Sequence, residues 1–101
     1  MSKYQFTPEA ISDLFELWSY IAADNVDAAD RVEEAVYASC ALAAETPLGG
    51  QTREDLTALP LRFWLVQPYR NCWIVVVPKT MPLQIIRILH STRTVRRILK
   101  S

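Results

Sequence analysis

Two side chains near the end of this 101-residue sequence could do chemistry together: Arg87 and the sole histidine, His90, in the stretch "IIRILHSTR" at 85–93. An imidazole changes charge close to neutral pH and can carry a proton, while a guanidinium grips phosphate or carboxylate with a fixed fork of donors. The stretch reads as a strand, and strand alternation puts Arg87 on the face of Ile85 and Leu89 and His90 on the face of Ile86 and Ile88. The two groups meet only if a bulge or the strand's end re-aims one of them. Arg87 in an apolar strand is costly unless paired, so it requires either an acidic partner from the helices or a rim position with its stem buried. His90 fits equally a strand-end residue joining a loop carbonyl to a side chain.

A second set of charged groups follows directly. Arg93, Arg96, Arg97 and Lys100 fall within eight residues and share one side of a helical turn, leaving Val95, Ile98 and Leu99 to pack. Across the chain the asymmetry is large. All eleven acids lie between Glu9 and Asp55, and residues 1–55 hold only Lys3, Arg31 and Arg53 against them, whereas from Leu56 onward there are eight Lys or Arg and no acid. The net charge of zero hides this division, which points the second half toward something anionic unless basic strands and acidic helices neutralise each other within the fold.

Those residues must be positioned by a small set of elements. "KYQF" alternates as a short strand, and Thr7, Pro8 and Glu9 supply an N-cap, a first-turn proline and a dipole-matched acid. Ile11, Leu14, Phe15, Trp18, Ile21 and Ala22 then recur at helical spacing, with Asp13 and Glu16 expected on the other side. After a break at "ADNVDAAD", with Asn25 or Asp27 as cap, Ala29, Val32, Val36, Cys40 and Ala43 form a second stripe that ends before Pro47. "PLGGQTREDLTALP" is a turn-rich loop, and "RFWLV", "CWIVVV" and "LQIIRILH" are three successive strands. Val75, Val76 and Val77 in succession call for burial on both faces. The expected fold is α+β in the order β-α-α-β-β-β, a helical hairpin packed on a small, mostly antiparallel sheet, as one domain over residues 1–101.

Composition excludes several classes. Half the residues are hydrophobic and 22% are charged, as in an ordinary globular domain. "WIVVV" is too short to cross a bilayer, and "MSKYQF" lacks the order of a signal peptide, so the expected location is cytoplasmic with no membrane partner. Cys40 and Cys72 read as reduced core thiols, without a second pair or ligand histidine to make a disulfide or metal site.

The strings Phe6 to Asn25, Ala28 to Val32, "PLGG" at 47–50, "LRFW" at 61–64 and "RILHSTR" at 87–93 together resemble the RelE/ParE toxin superfamily, specifically its ParE-like branch. That resemblance implies the toxin of a type II toxin–antitoxin pair, forming a hetero-oligomer with a ParD-like antitoxin whose C-terminal segment wraps it, and meeting operator DNA only through that antitoxin. ParE-like members inhibit DNA gyrase, while RelE-like members cut mRNA on the ribosome. No cofactor is implied.

Metal-free RNA cleavage needs a base for the 2′-hydroxyl proton, an acid for the leaving oxygen and cations for the phosphorane. Residues 44–61 hold no lysine, Val95 lies where a RelE-like tyrosine is expected, and Val76 and Val77 replace a Tyr-Arg common in relatives. The resemblance therefore favours a non-catalytic gyrase inhibitor. Arg62, Arg87 and His90 remain the candidate site for a ribonuclease, and an inactive relative serving as antitoxin-binding co-repressor is the third class. Target contact is expected from Arg62, Arg93, Arg96, Arg97 and Lys100. Antitoxin contact is expected from Trp18, Ile21, Trp64 and Trp73, although the tryptophans read first as core residues.

Overall fold

The computed structural model describes residues 3–46, 48–69 and 72–90. Six elements follow in the expected order: β1 (Tyr4–Phe6), α1 (Pro8–Ala22), α2 (Val26–Glu45), β2 (Arg62–Leu65), β3 (Trp73–Val77) and β4 (Leu83–Leu89). The sheet order is β1-β4-β3-β2, with β1 parallel to β4 and the other neighbours antiparallel. β4 is thus an interior strand, joined to the first strand on one side and to β3 on the other.

Capping fixes where the helices begin. The Thr7 hydroxyl accepts from the Ala10 N–H at 3.2 Å and donates to the Ile86 carbonyl at 3.0 Å, so one side chain both starts α1 and ties it to β4. Asn25 starts α2 by accepting from the Ala28 N–H at 3.0 Å. The five-residue stripe of α2, Ala29 through Ala43, is buried as its spacing requires. α1 differs from expectation. Its buried residues are Ala10, Leu14 and Leu17, while Ile11 and Phe15 are 57% and 69% exposed. The helix carries two adjacent apolar rows, and the row in register with the sheet contains Ala10, Asp13, Leu14 and Leu17. Small Ala10 allows close approach at the helix start, which places Asp13 against β4 just past the end of β1 instead of in solvent.

The sheet is covered on both faces. Ile74, Val76, Leu83, Ile85 and Ile88 pack with the helices, whereas Phe63, Val75 and Leu89 pack with Leu56 and Leu61 of the long connection. Consecutive Val75 and Val76 therefore enter different cores. Between them the register of β4 shifts: Val75 faces Arg87 and Val76 faces Ile85, leaving Ile86 as the extra residue of a bulge. Consequently Ile85 and Ile88 lie in one core and Leu89 in the other, which departs from the simple alternation expected for 85–90.

Cys40 and Cys72 are free and buried in the helix-side core. Burial pushes the Cys40 thiol up to about 12, with nearby Cys72 adding to it, and pushes Cys72 up to about 11. A raised folded-state value means that the unfolded chain loses these protons first. Stability from this source is complete below pH ~9 and should fall above it, by roughly 1.4 kcal/mol per pH unit per thiol until the folded-state values are reached. Denaturation midpoints measured from pH 8 to 11 should show this slope, and it should shrink in a Cys40→Ala, Cys72→Ala variant.

Candidate functional site

Arg87 is held by α1. Its Nε donates to Asp13 Oδ2 at 2.6 Å and its Nη2 to Oδ1 at 2.8 Å, a bidentate pair, and the Ile88 N–H donates to the same Oδ2 at 3.0 Å. β1 pairs with β4 only as far as Phe6 opposite Ile85, so beyond that point β4 would expose an unpaired amide. The Asp13 carboxylate stands in for the missing strand. The pKa of Arg87 is raised, first by its hydrogen bonds to Asp13 and then by the charges of Asp13, Glu9 and Glu16, with burial opposing. A cavity of about 400 Å³ beside the pair is lined by Pro8, Glu9, Ser12, Asp13, Glu16 and Arg87. Three carboxylates surround this guanidinium, which is already bound to Asp13, and their charge disfavours a phosphate there.

His90 is exposed and lies on a separate apolar cavity of about 180 Å³, with Leu17, Tyr20, Ile21, Tyr69 and Cys72 among its walls. No hydrogen-bond partner orients its imidazole among the described residues. Arg62 lies on a third cavity, of about 490 Å³, with Leu48, Pro60 and Lys79. The register separates the two ends: Arg62 pairs with Val76, whereas Leu89, next to His90, pairs with Trp73 at the other end of β3. The three residues with ribonuclease potential thus line three cavities, and the fold does not bring them together. In the connecting loop, Arg53 is bound through both fork nitrogens to Asp55 at 3.0 and 2.9 Å. Among the described residues no group of three His, Cys, Asp or Glu side chains is placed to hold a metal ion.

The aromatic candidates are equally dispersed. Trp18 donates from Nε1 to Asp30 Oδ1 at 3.0 Å, joining the two helices, and Ile21 lines the His90 cavity. Trp64 lies under the Gly49–Gly50 turn, where a Cβ at Gly50 would stand 2.7 Å from its Nε1 and at a φ of +75°. Trp73 packs on the opposite face of the sheet. Sequence reasoning missed the exposed apolar surface that does form. Phe6, Ile11, Leu14, Phe15, Glu33 and Tyr37 line a groove of about 210 Å³ where α1, α2 and β1 meet. Its signal is the second apolar row of α1, Ile11 and Phe15. Arg93, Arg96, Arg97 and Lys100 lie outside the described residues.

A helical hairpin on a four-stranded mixed sheet, with acids on the helices and cations spread along the sheet, defines a small α+β protein of the RelE/ParE-like fold. Residues 4–95 match the family described as "ParE toxin of type II toxin-antitoxin system, parDE", and the chain belongs to the ParE toxin family. A solved structure titled "Chromosomal ParDE TA system from P. aeruginosa" contains a similar chain, with a TM-score of 0.70 and 16% identity over 90% of this chain and 97% of that one. No curated protein matches the chain in sequence. Among the described residues no helix is long and apolar enough to cross a membrane.

Proposed function

We propose that this ParE toxin inhibits DNA gyrase without a catalytic step of its own and is neutralised by a ParD-like antitoxin. The observation that carries the non-catalytic reading is the separation of Arg62, Arg87 and His90 into three cavities, with Arg87 committed to Asp13. General acid–base cleavage requires its groups within hydrogen-bond reach of one reacting phosphate. Gyrase bound to DNA is an anionic target, and the acid-free second half of the chain, including Arg93, Arg96, Arg97 and Lys100, suits it. The location that follows is the cytoplasm.

The test is a gyrase supercoiling assay run beside an RNA cleavage assay in a translation extract. Inhibition of supercoiling with intact mRNA is the expected result, whereas ribosome-dependent cleavage establishes the RelE-type alternative, and silence in both leaves the co-repressor role. His90→Ala should keep full toxicity and an unchanged melting temperature. Loss of toxicity in a stably folded His90→Ala protein would overturn the non-catalytic reading, because a proton carrier contributes only in the transition state.

A further inference from the structure

The end of the sheet away from His90 opens into a cleft of about 490 Å³ whose charged residues are Arg62, at the start of β2, and Lys79, in the β3–β4 turn. Its volume falls in the roughly 300–1,000 Å³ range of small-ligand clefts. Neither cation has a carboxylate in ion-pair range among the described residues, since the ion pairs there involve Lys3, Arg53 and Arg87. Lys79 has a φ of 67°, a left-handed conformation that glycine or asparagine adopts at less cost. A lysine there keeps an ammonium at the cleft at the expense of backbone strain.

The remaining walls decide between anionic ligands. Leu48, Pro60 and Pro78 offer apolar surface for a sugar and a base, and the Thr52 side chain adds a hydroxyl. An acidic peptide would gain most by adding a strand to the edge of β2. That edge is already taken at Phe63, where Gln51 exchanges both backbone hydrogen bonds at 2.9 and 2.8 Å and leaves no room for a continuous added strand. We propose that Arg62 and Lys79 form a binding site for the phosphodiester backbone of a single-stranded nucleic acid, separate from the surface around His90. The site does not require gyrase to be the target.

Fluorescence anisotropy of labelled dT12 and rU12 against the purified protein, over a series of salt concentrations, tests it. Arg62→Gln with Lys79→Gln should weaken binding about tenfold or more at low salt and flatten the plot of log K against log salt by about 1.4, two phosphate contacts at ~0.7 each. Lys79→Gly should lose affinity without any fall in melting temperature, which separates the ammonium from the fold should the double variant be unstable. Unchanged affinity or salt slope in the variants overturns the site, as does failure of the parent to bind either oligonucleotide. Competition by polyglutamate as strong as by unlabelled dT12 also overturns it, in favour of an acidic peptide. A protein that binds dT12 through these residues yet leaves supercoiling untouched would strike gyrase inhibition alone.

Discussion

Asp13→Ala is expected to lower the melting temperature by about 10–20 °C, a large effect for a polar side chain. The carboxylate serves three donors, the two fork nitrogens of Arg87 and the Ile88 amide. Its side chain is 13% exposed and that of Arg87 is 25% exposed, so solvent only partly replaces what is lost. Leaving a charged group and an edge amide unpaired costs about 2–3 kcal/mol. In a domain of about 100 residues each kcal/mol moves the midpoint by roughly 4–8 °C. Asp13→Asn keeps an acceptor for Ile88 and should lose less, and Arg87→Ala should fall between the two because the orphaned Asp13 retains the amide. A double-mutant cycle on Asp13 and Arg87 should return a coupling above about 1 kcal/mol. Independent, additive losses would show that the pair is incidental to the fold.

Phe15→Ala should weaken binding of the ParD-like antitoxin by about 30-fold or more while changing stability by under about 0.5 kcal/mol. Phe15 is 69% exposed beside Ile11 and Tyr37, so its removal costs the free toxin little. In a complex, an aromatic ring buried near the centre of an interface is worth about 2 kcal/mol or more. The surrounding charge suggests the partner's composition. The span of α1 and α2 holds nine acids and Arg31 alone on the other side, which favours an amphipathic segment with basic residues around its apolar anchors. A segment disordered when free would lose chain entropy on wrapping this surface, so apolar anchors must supply the surplus. Leu59→Ala, comparably exposed at 61% in the long connection, is the control. Equal antitoxin affinity for the parent and Phe15→Ala proteins would move the contact off this groove.

α2 was legible because its apolar residues form a single row of small and β-branched side chains with charge on both flanks. The buried face of α1 was not, because Ile11, Phe15 and Trp18 compete with Ala10, Leu14 and Leu17 for it, and only the sheet decides between the rows. The three successive strands could be read from the change of period after Pro60, yet the bulge at Ile86 could not. Two adjacent isoleucines conceal which of them slips, and a slip of one residue exchanges the faces. That Arg87 required an acidic partner followed from its apolar surroundings; that the partner is Asp13 did not, because 74 residues separate them and local spacing placed the acid in solvent. The cleft of Arg62 and Lys79 escaped for a similar reason. Their proximity arises from the antiparallel register of β2 and β3, and nothing in the turn "PKT" marks its lysine as left-handed.

The pairing of the first strand with the last has a consequence for synthesis. Among the described residues, Tyr4 to Phe6 find their only strand neighbour in Leu83 to Ile85, and the Thr7 side chain bonds to Ile86. While the ribosome is still adding β4, both β1 and β3 lack that neighbour, and the first turn of α1 has nothing to be tied to. Contacts of such sequence separation form late and slowly compared with local ones. The chain therefore emerges as a helical hairpin and loose strands, becoming a finished toxin only after nearly every described residue has left the exit tunnel.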